Sequence, residues 1–542
     1  MSFVNYKKQQ AQQCNVESTT IVSKNNFWHK HKYIILLFLA IILVRIPALI
    51  LWNPYITGSD SAIYMETAKN VAKGNGYVSS FCRFSMDKEK LINYVEKYGP
   101  RFEGQNRAPL YIYLLAGIYL ITDDAGFMDG VNILNLLFFI AALILFYLFL
   151  LKTYPDNPFV HFASILWLGF SFPLFKFSYG AWLENYTLFL FVLVLLYHYY
   201  IVKKDTPSLG HIVLYSFVLA LLFVTKRSVI PIVGAFILHF LLLKKYKQFF
   251  QISVLFIIFA GGWYLIRETC YNIPDLYPFS HNYPFGETGY KESIIPRFYF
   301  FSTQVLRALD SFFNVLIDFE NLSVLLPFSI IYLCVYKKGL NKQIIWLLLS
   351  VTAFVYIFGR GATSTRNYYP VFVPLIPASF LALDDLLKHL NKNKRILSIY
   401  FILALPLFFS LKNMADFTKN VVISGEDRKR IFLASDKLLD QICVPENAII
   451  TSNVVGYNVY SKRNCVLTPP NIDHGNKYEF IDLFNIDYVI HCNGFSKYFF
   501  WNEYSTNWNS FLDYEQVGKS DFDDRIILYK VIPKESIATK IK

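Results

Sequence analysis

The 542-residue chain is 54% hydrophobic and 18% aromatic, with 52 Phe and 39 Tyr, and only 17% of it is charged. That composition excludes an ordinary soluble globular protein and places the chain in a membrane. Lys and Arg number 52 against 39 Asp and Glu, a net charge of +13, but the cations fall in short clusters between apolar runs, which excludes a nucleic-acid binder.

Residues 1–32 are polar and basic, with Lys7, Lys8, Lys24, Lys30 and Lys32, and form a predicted cytoplasmic tail. The apolar run at 33–52 has no small-residue cleavage site and reads as a signal anchor that stays in the chain. Further runs of spanning length, about twenty residues, lie near 131–151, 158–177, 184–202, 208–225, 228–243, 249–266, 319–336, 343–359, 368–386 and 396–412. The expected total is about eleven spans. Lys203-Lys204, Lys244 to Lys247, Lys337-Lys338 with Lys342, and Lys388 to Arg395 share one side of that arrangement, which the positive-inside rule makes cytoplasmic.

Leu110–Ile121 is too short to span and suits an interfacial or re-entrant helix. Residues 53–130 therefore read as one large external loop. A second interfacial helix is expected near 296–317, where Arg297, Arg307 and Asp310 interrupt apolar positions. After about residue 415 the apolar runs shorten to strand length at Ala448–Ser452, Tyr488–His491 and Arg525–Val531. Between the last span and these runs lies the amphipathic stretch Arg428–Ile442, where Ile431, Leu438 and Leu439 share a face. This pattern predicts a small α/β domain over 415–542, placed outside by an odd number of spans. The membrane domain is then 33–414. The seven Cys lack metal-ligand spacing, and Cys443 with Cys465 is a candidate disulfide in an oxidising compartment.

Chemistry-bearing residues gather on the external side. Asp60, in Gly58-Ser59-Asp60-Ser61-Ala62-Ile63-Tyr64, stands where the chain leaves the bilayer; it reads either as a helix cap or as a general base. Glu184 opens a span, where a helix N-terminus favours an acid. Arg107 in Arg107-Ala108-Pro109-Leu110, Lys226 and Arg227 in Thr225-Lys226-Arg227, and Arg366 lie between apolar runs. Each fits either snorkelling toward lipid phosphate or a substrate anion. Charges cost about 2.5–3.5 kcal/mol at a span centre. Two acids and several cations on one membrane face, with Lys176 and Arg360 nearby, suggest a site for an anionic lipid-linked donor beside a base.

Together these motifs resemble the C-type glycosyltransferase superfamily, in its protein O-mannosyltransferase and lipid A aminoarabinose transferase branch. Asp60-Ser61-Ala62-Ile63-Tyr64 is similar to that branch's Asp-Glu-x-x-Tyr, with Ser61 replacing the second acid. Arg107-Ala108-Pro109-Leu110 resembles Lys-Pro-Pro-Leu, and Thr225-Lys226-Arg227 resembles Thr-Lys-Gly. Arg366 through Pro370 is similar to Arg-Tyr-x-x-Pro, and Glu184 falls at the second-loop acid, usually Asp. The stretches GGWYLIRE and YPFSHN also look like the loop of bacterial members. The likeness covers roughly 33–412 and, more loosely, the tail.

The resemblance implies an α-helical polytopic membrane fold with a small extracytoplasmic α/β domain. It further implies transfer of a sugar from a polyprenyl-phosphate donor to a hydroxyl of a lipid, glycan or protein acceptor, in contact with membrane lipid. The location implied is the outer face of a bacterial cytoplasmic (inner) membrane, and the product a cell-envelope glycan such as lipopolysaccharide. Asp60 is the expected base, with Glu184 orienting acceptor or donor. Arg107, Lys226, Arg227 and Arg366 are expected to hold the phosphate, and Tyr64 and Tyr368 to contact substrate. Direct displacement would invert the anomeric centre. No metal-ligand set is predicted, and Ser61 leaves a divalent metal open as a cofactor. The rival readings are a transporter or flippase, which Arg45 within the first span would suit, and a non-catalytic assembly factor.

Overall fold

The computed structural model describes residues 31–51, 59–79, 102–103, 108–226, 229–271, 322–335, 342–350, 372–452, 457, 461, 464–467, 485–492 and 514–531. Apolar sequence in a bilayer satisfies its backbone groups by forming helix, and each of the eleven predicted runs contains helix among these residues. The helices are α1 (His31–Ile50), α2 (Ser59–Ala72), α3 (Pro109–Thr153), α4 (Pro158–Gly169), α5 (Phe172–Lys176), α6 (Glu184–Lys203) and α7 (Leu209–Thr225). They continue with α8 (Ile230–Leu242), α9 (Tyr246–Tyr271), α10 (Leu322–Val335), a stretch over 342–350, α11 (Leu375–Leu387) and α12 (Lys392–Gln441). Within the described residues, five segments are long and apolar enough to cross a membrane, in α1, α3, α6, α9 and α12.

The element α3 is two arms joined at Asp123, whose φ of 53° and ψ of −167° are non-helical. The first arm covers the short run 110–121: Tyr111, Ile112, Leu115 and Tyr119 are buried while Leu110, Leu120 and Ile121 are exposed. The second arm, Gly126–Thr153, is of spanning length. The arms meet at Gly130, where a Cβ would lie 2.4 Å from Ile118 Cγ2. A larger residue there would force the hairpin open. The predicted span 158–177 is divided, since α4 stops at Gly169 and the chain restarts as α5. At twelve residues α4 is about 18 Å long, short of a bilayer core of about 30 Å.

α3 packs along α6, α7 along α9, α10 along α11, and α2 along α3. At the Lys203 end of α6, a buried hydrogen-bonded chain ties three helices, with Tyr215–His198 and His198–His239 each 2.8 Å apart. The last predicted span and the amphipathic stretch 428–442 are not separate pieces. Both belong to α12, a 50-residue helix about 75 Å long, so position 415 lies within a helix. Phe417 of α12 packs on Phe172 and Phe175 of α5.

Beyond α12 lie β3 (Ile449–Ser452), β4 (Asn464–Leu467), β5 (Tyr488–Cys492), β6 (Tyr514–Lys519) and β7 (Ile526–Val531), and a small β1–β2 pair (Val78–Ser79 with Phe102–Glu103) lies between α2 and α3. The five strands run in the order β4-β3-β5-β7-β6. β3 is parallel to β4 and β5, while β7 is antiparallel to β5 and β6. Ile431, Leu438 and Leu439 of α12 share a core with Ile450, Ile490, Ile526 and Leu528, as their common face predicts. β4 and β6 were not expected, because their sequences alternate too weakly to stand out. Cys443 is exposed and Cys465 buried on β4, and no disulfide joins them among the described residues. The expected helix at 296–317 lies outside the described residues.

Candidate active site

The site is built around the turn 178–183, which ends at Glu184. Gly180 has a φ of 84°, a conformation glycine takes without strain. Its N–H donates to Asn132 Oδ1 at 2.6 Å, and its carbonyl accepts from Asn135 Nδ2. The next amide, Ala181 N–H, donates to Ser61 Oγ at 2.8 Å. Asn185 Nδ2 donates to Ser178 Oγ at 3.0 Å, and Tyr179 Oη donates to the Arg45 carbonyl at 2.9 Å. Thus α1, α2, α3 and α6 all hold this turn. Asn132, Asn135, Asn185 and Ser61 are each 0% exposed. Their hydrogen bonds repay a burial that would otherwise cost several kcal/mol, on the order of 1–3 kcal/mol per unmade bond.

Held by this turn, Glu184 begins α6, and its Oε1 lies 2.9 Å from Lys226 Nζ, with side-chain exposures of 2% and 10%. Lys226 follows the last residue of α7 in extended conformation, with φ −155° and ψ 132°. Two residues earlier, the Val224 carbonyl accepts the Ala108 N–H at 2.8 Å. Ala108 itself has φ 53° and ψ 53°, a left-handed conformation that is unfavourable for a non-glycine residue and more so before proline. Beneath these residues Tyr111 stacks on Tyr186, with ring centroids 5.5 Å apart, and its hydroxyl donates to Asn135 Oδ1 at 3.1 Å. Tyr186 in turn hydrogen-bonds Thr225.

The backbone path superposes on ArnT from Cupriavidus metallidurans bound to undecaprenyl phosphate. The TM-score is 0.57 at 10% identity, over 93% of this chain and 99% of that one. The apo structure of the same protein gives a TM-score of 0.58 at 11% identity, over 91% and 97%. The chain has the C-type glycosyltransferase fold. No family model matches it, and no curated protein matches it by sequence.

Within the C-type fold, three sequence-predicted segments come together: the start of α2 with Asp60 and Ser61, the approach to Glu184, and the end of α7 with Lys226. Asp60 is the second residue of α2, one position from the Ser61–Ala181 bond, and its side chain is not among those described. Tyr64 is buried, its ring edge-on to Tyr111 with centroids 6.4 Å apart. Arg107, Arg227, Arg366, Tyr368 and Arg360 lie outside the described residues. Sequence reasoning missed Asn132, Asn135, Asn185 and Tyr179. The available signal was three amides inside otherwise apolar helices, which are expensive there and usually have a partner.

The Ser61 hydroxyl at the second-acid position accepts from Ala181 N–H, and Glu184 Oε1 accepts from the Lys226 ammonium. Among the described residues, no three His, Cys, Asp or Glu are grouped as metal ligands.

Proposed function

We propose that this chain is a membrane glycosyltransferase that moves a sugar from a polyprenyl-phosphate donor to an acceptor hydroxyl, with inversion, at the outer face of a bacterial cytoplasmic membrane. The carrying observation is the buried Glu184–Lys226 pair at 2.9 Å, held on the turn that Ser61, the neighbour of Asp60, pins in place. The likeness to ArnT, solved with undecaprenyl phosphate, supports a lipid-linked donor.

In this reading Asp60 accepts the proton of the acceptor hydroxyl as its oxygen attacks the anomeric carbon. The bond from that carbon to the phosphate oxygen breaks, and the polyprenyl phosphate leaves with the electron pair. Lys226, with Arg107, Arg227 and Arg366, stabilises the charge that grows on the leaving phosphate. Glu184 orients the site by fixing the Lys226 ammonium. Tyr64 forms the inner wall against Tyr111, and Tyr368 contacts the substrate. No step runs through a metal. The acceptor is a lipid, a glycan or a protein.

The flippase reading draws on Arg45 alone, while the C-type fold favours transfer. Washed membranes given a polyprenyl-phosphate donor labelled in the sugar separate the readings. Label appearing in an acceptor supports transfer. Label that stays on the lipid but changes leaflet marks a flippase, and label that does neither marks an assembly factor.

A further inference from the structure

Trp182 is a side chain that the mechanism above does not use. Among residues 178–188 it alone is not buried, although the turn that carries it is held by α1, α2, α3 and α6. Its backbone N–H donates to the Gly180 carbonyl at 2.9 Å, which fixes the base of the side chain. Phe177, also half-buried, packs edge-to-face with the indole, ring centroids 5.9 Å apart at 62°. A Cβ at Gly180 would lie 3.2 Å from the indole Nε1 and 3.4 Å from Ser61 Oγ. The missing Cβ therefore lets the N–H edge of the indole lie against the turn, at the start of α2 and one residue from Asp60.

A half-buried indole is open to a ligand and offers it a flat apolar surface with a polar handle at one edge. Held rigid, such a ring gives a large amphipathic contact at a low cost in side-chain entropy. Here the polar edge adjoins the Ser61 hydroxyl, and the neighbouring ring is the apolar Phe177. That division matches a sugar ring, which presents C–H bonds on one face and hydroxyls at its rim. Neither aromatic ring supplies a charge for a phosphate, and an isoprenoid chain gains nothing from the polar edge. Tryptophan also anchors proteins at the lipid interface, but an anchor needs no fixed backbone, whereas four helices hold this one beside Ser61.

We propose that Trp182 is the platform on which the transferred sugar packs, its C–H face against the indole and its hydroxyls toward the start of α2. The platform rests on the sugar-transfer reading above and names a specificity-determining residue for it. A sugar could come from the donor or from a glycan acceptor. Trp182 stands beside Ser61 and two residues before Glu184, on the segment that holds the Glu184–Lys226 pair, and this place selects the donor's sugar.

Full-length protein in nanodiscs is titrated with bare undecaprenyl phosphate and with undecaprenyl phosphate carrying glucose, mannose or N-acetylglucosamine, binding being read from the shift in Tm. At least one sugar-bearing lipid is expected to bind the wild type more tightly than the bare lipid. Trp182→Leu keeps apolar bulk and loses the flat ring, so affinity for that lipid should fall about tenfold, with affinity for the bare lipid unchanged. Trp182→Phe keeps a ring and should lose less. Trp182→Met replaces the Leu variant if the latter does not fold. An equal loss for bare and sugar-bearing lipid makes Trp182 a lipid anchor or a structural residue and overturns the platform. Wild-type affinity for the sugar-bearing lipid in the Leu or Met variant overturns it as well, and so does a wild type that binds all four lipids equally; each leaves the transferase reading intact. A wild type that binds none of the four overturns the donor reading and the platform together.

Discussion

Lys226 Nζ and Glu184 Oε1 form a closed ion pair at 2.9 Å between the end of α7 and the start of α6. Removing one partner of such a pair strands a charge, at a cost of about 3–5 kcal/mol, whereas removing both is often close to neutral. Lys226→Met should therefore unfold far more readily than the double variant Glu184→Gln/Lys226→Met. Denaturation of the two single variants and the double variant gives the coupling directly. Strictly additive losses would show that the two side chains do not act as a pair.

Ala108 carries a different kind of tension. Its left-handed backbone before Pro109 costs about 1–2 kcal/mol for a residue with a Cβ. Ala108→Gly should raise stability by about 1 kcal/mol and lower transfer, because Arg107 then leaves a looser backbone. Thermal unfolding and turnover measured on one preparation check both signs. A variant that gains neither stability nor slackness would show that the Val224 hydrogen bond alone fixes the conformation.

In the C-terminal domain, Arg525 grips Asp523 through Nε at 2.8 Å and Nη2 at 2.6 Å, and Asp427 through Nη1 and Nη2. Hydrogen bonding from Arg525 holds the Asp523 carboxyl below its ordinary range. A depressed carboxylate stabilises the folded state fully above the unfolded value, about 3.9, and that contribution is lost as pH falls through the folded value. Protection of the β6–β7 amides, taken as exchange relative to the unstructured rate at the same pH, should fall below about pH 4. Arg525→Gln should flatten that dependence, and an unchanged profile would assign acid sensitivity elsewhere.

The elements most legible in the sequence were those governed by one dominant force. Long apolar runs became helix, and the shared face of Ile431, Leu438 and Leu439 found its sheet. Breaks inside runs were harder, because α4 ends and α5 begins without a change of hydropathy. Asp123 ends an arm through its dihedral angles rather than its polarity. At the site, Glu184 and Lys226 were each visible as charges, yet their pairing depends on how α6 and α7 lie together. Ser61 looked like a lost acid, and only the fold shows its hydroxyl on Ala181. The asparagines escaped notice because their partners are backbone groups on distant helices.

The proposed topology rests on the lysine clusters at 203–204, 244–247 and 388–395 and on the predicted odd number of spans. A reporter active only outside the cytoplasm should work when fused after Lys542. Activity of a cytoplasm-only reporter at that position would invert the arrangement and remove the C-terminal domain from the proposed acceptor side.

The central claim is that Asp60 is the base of a sugar transfer, and Asp60→Asn tests it most directly. Asn is nearly the same size and caps a helix about as well as Asp, but it does not take up the acceptor's proton. Turnover by purified protein with a polyprenyl-phosphate donor should fall about 10²-fold or more, while expression and Tm stay at wild-type values. Near-normal turnover in well-folded Asp60→Asn protein would contradict the account and leave Asp60 as a helix cap.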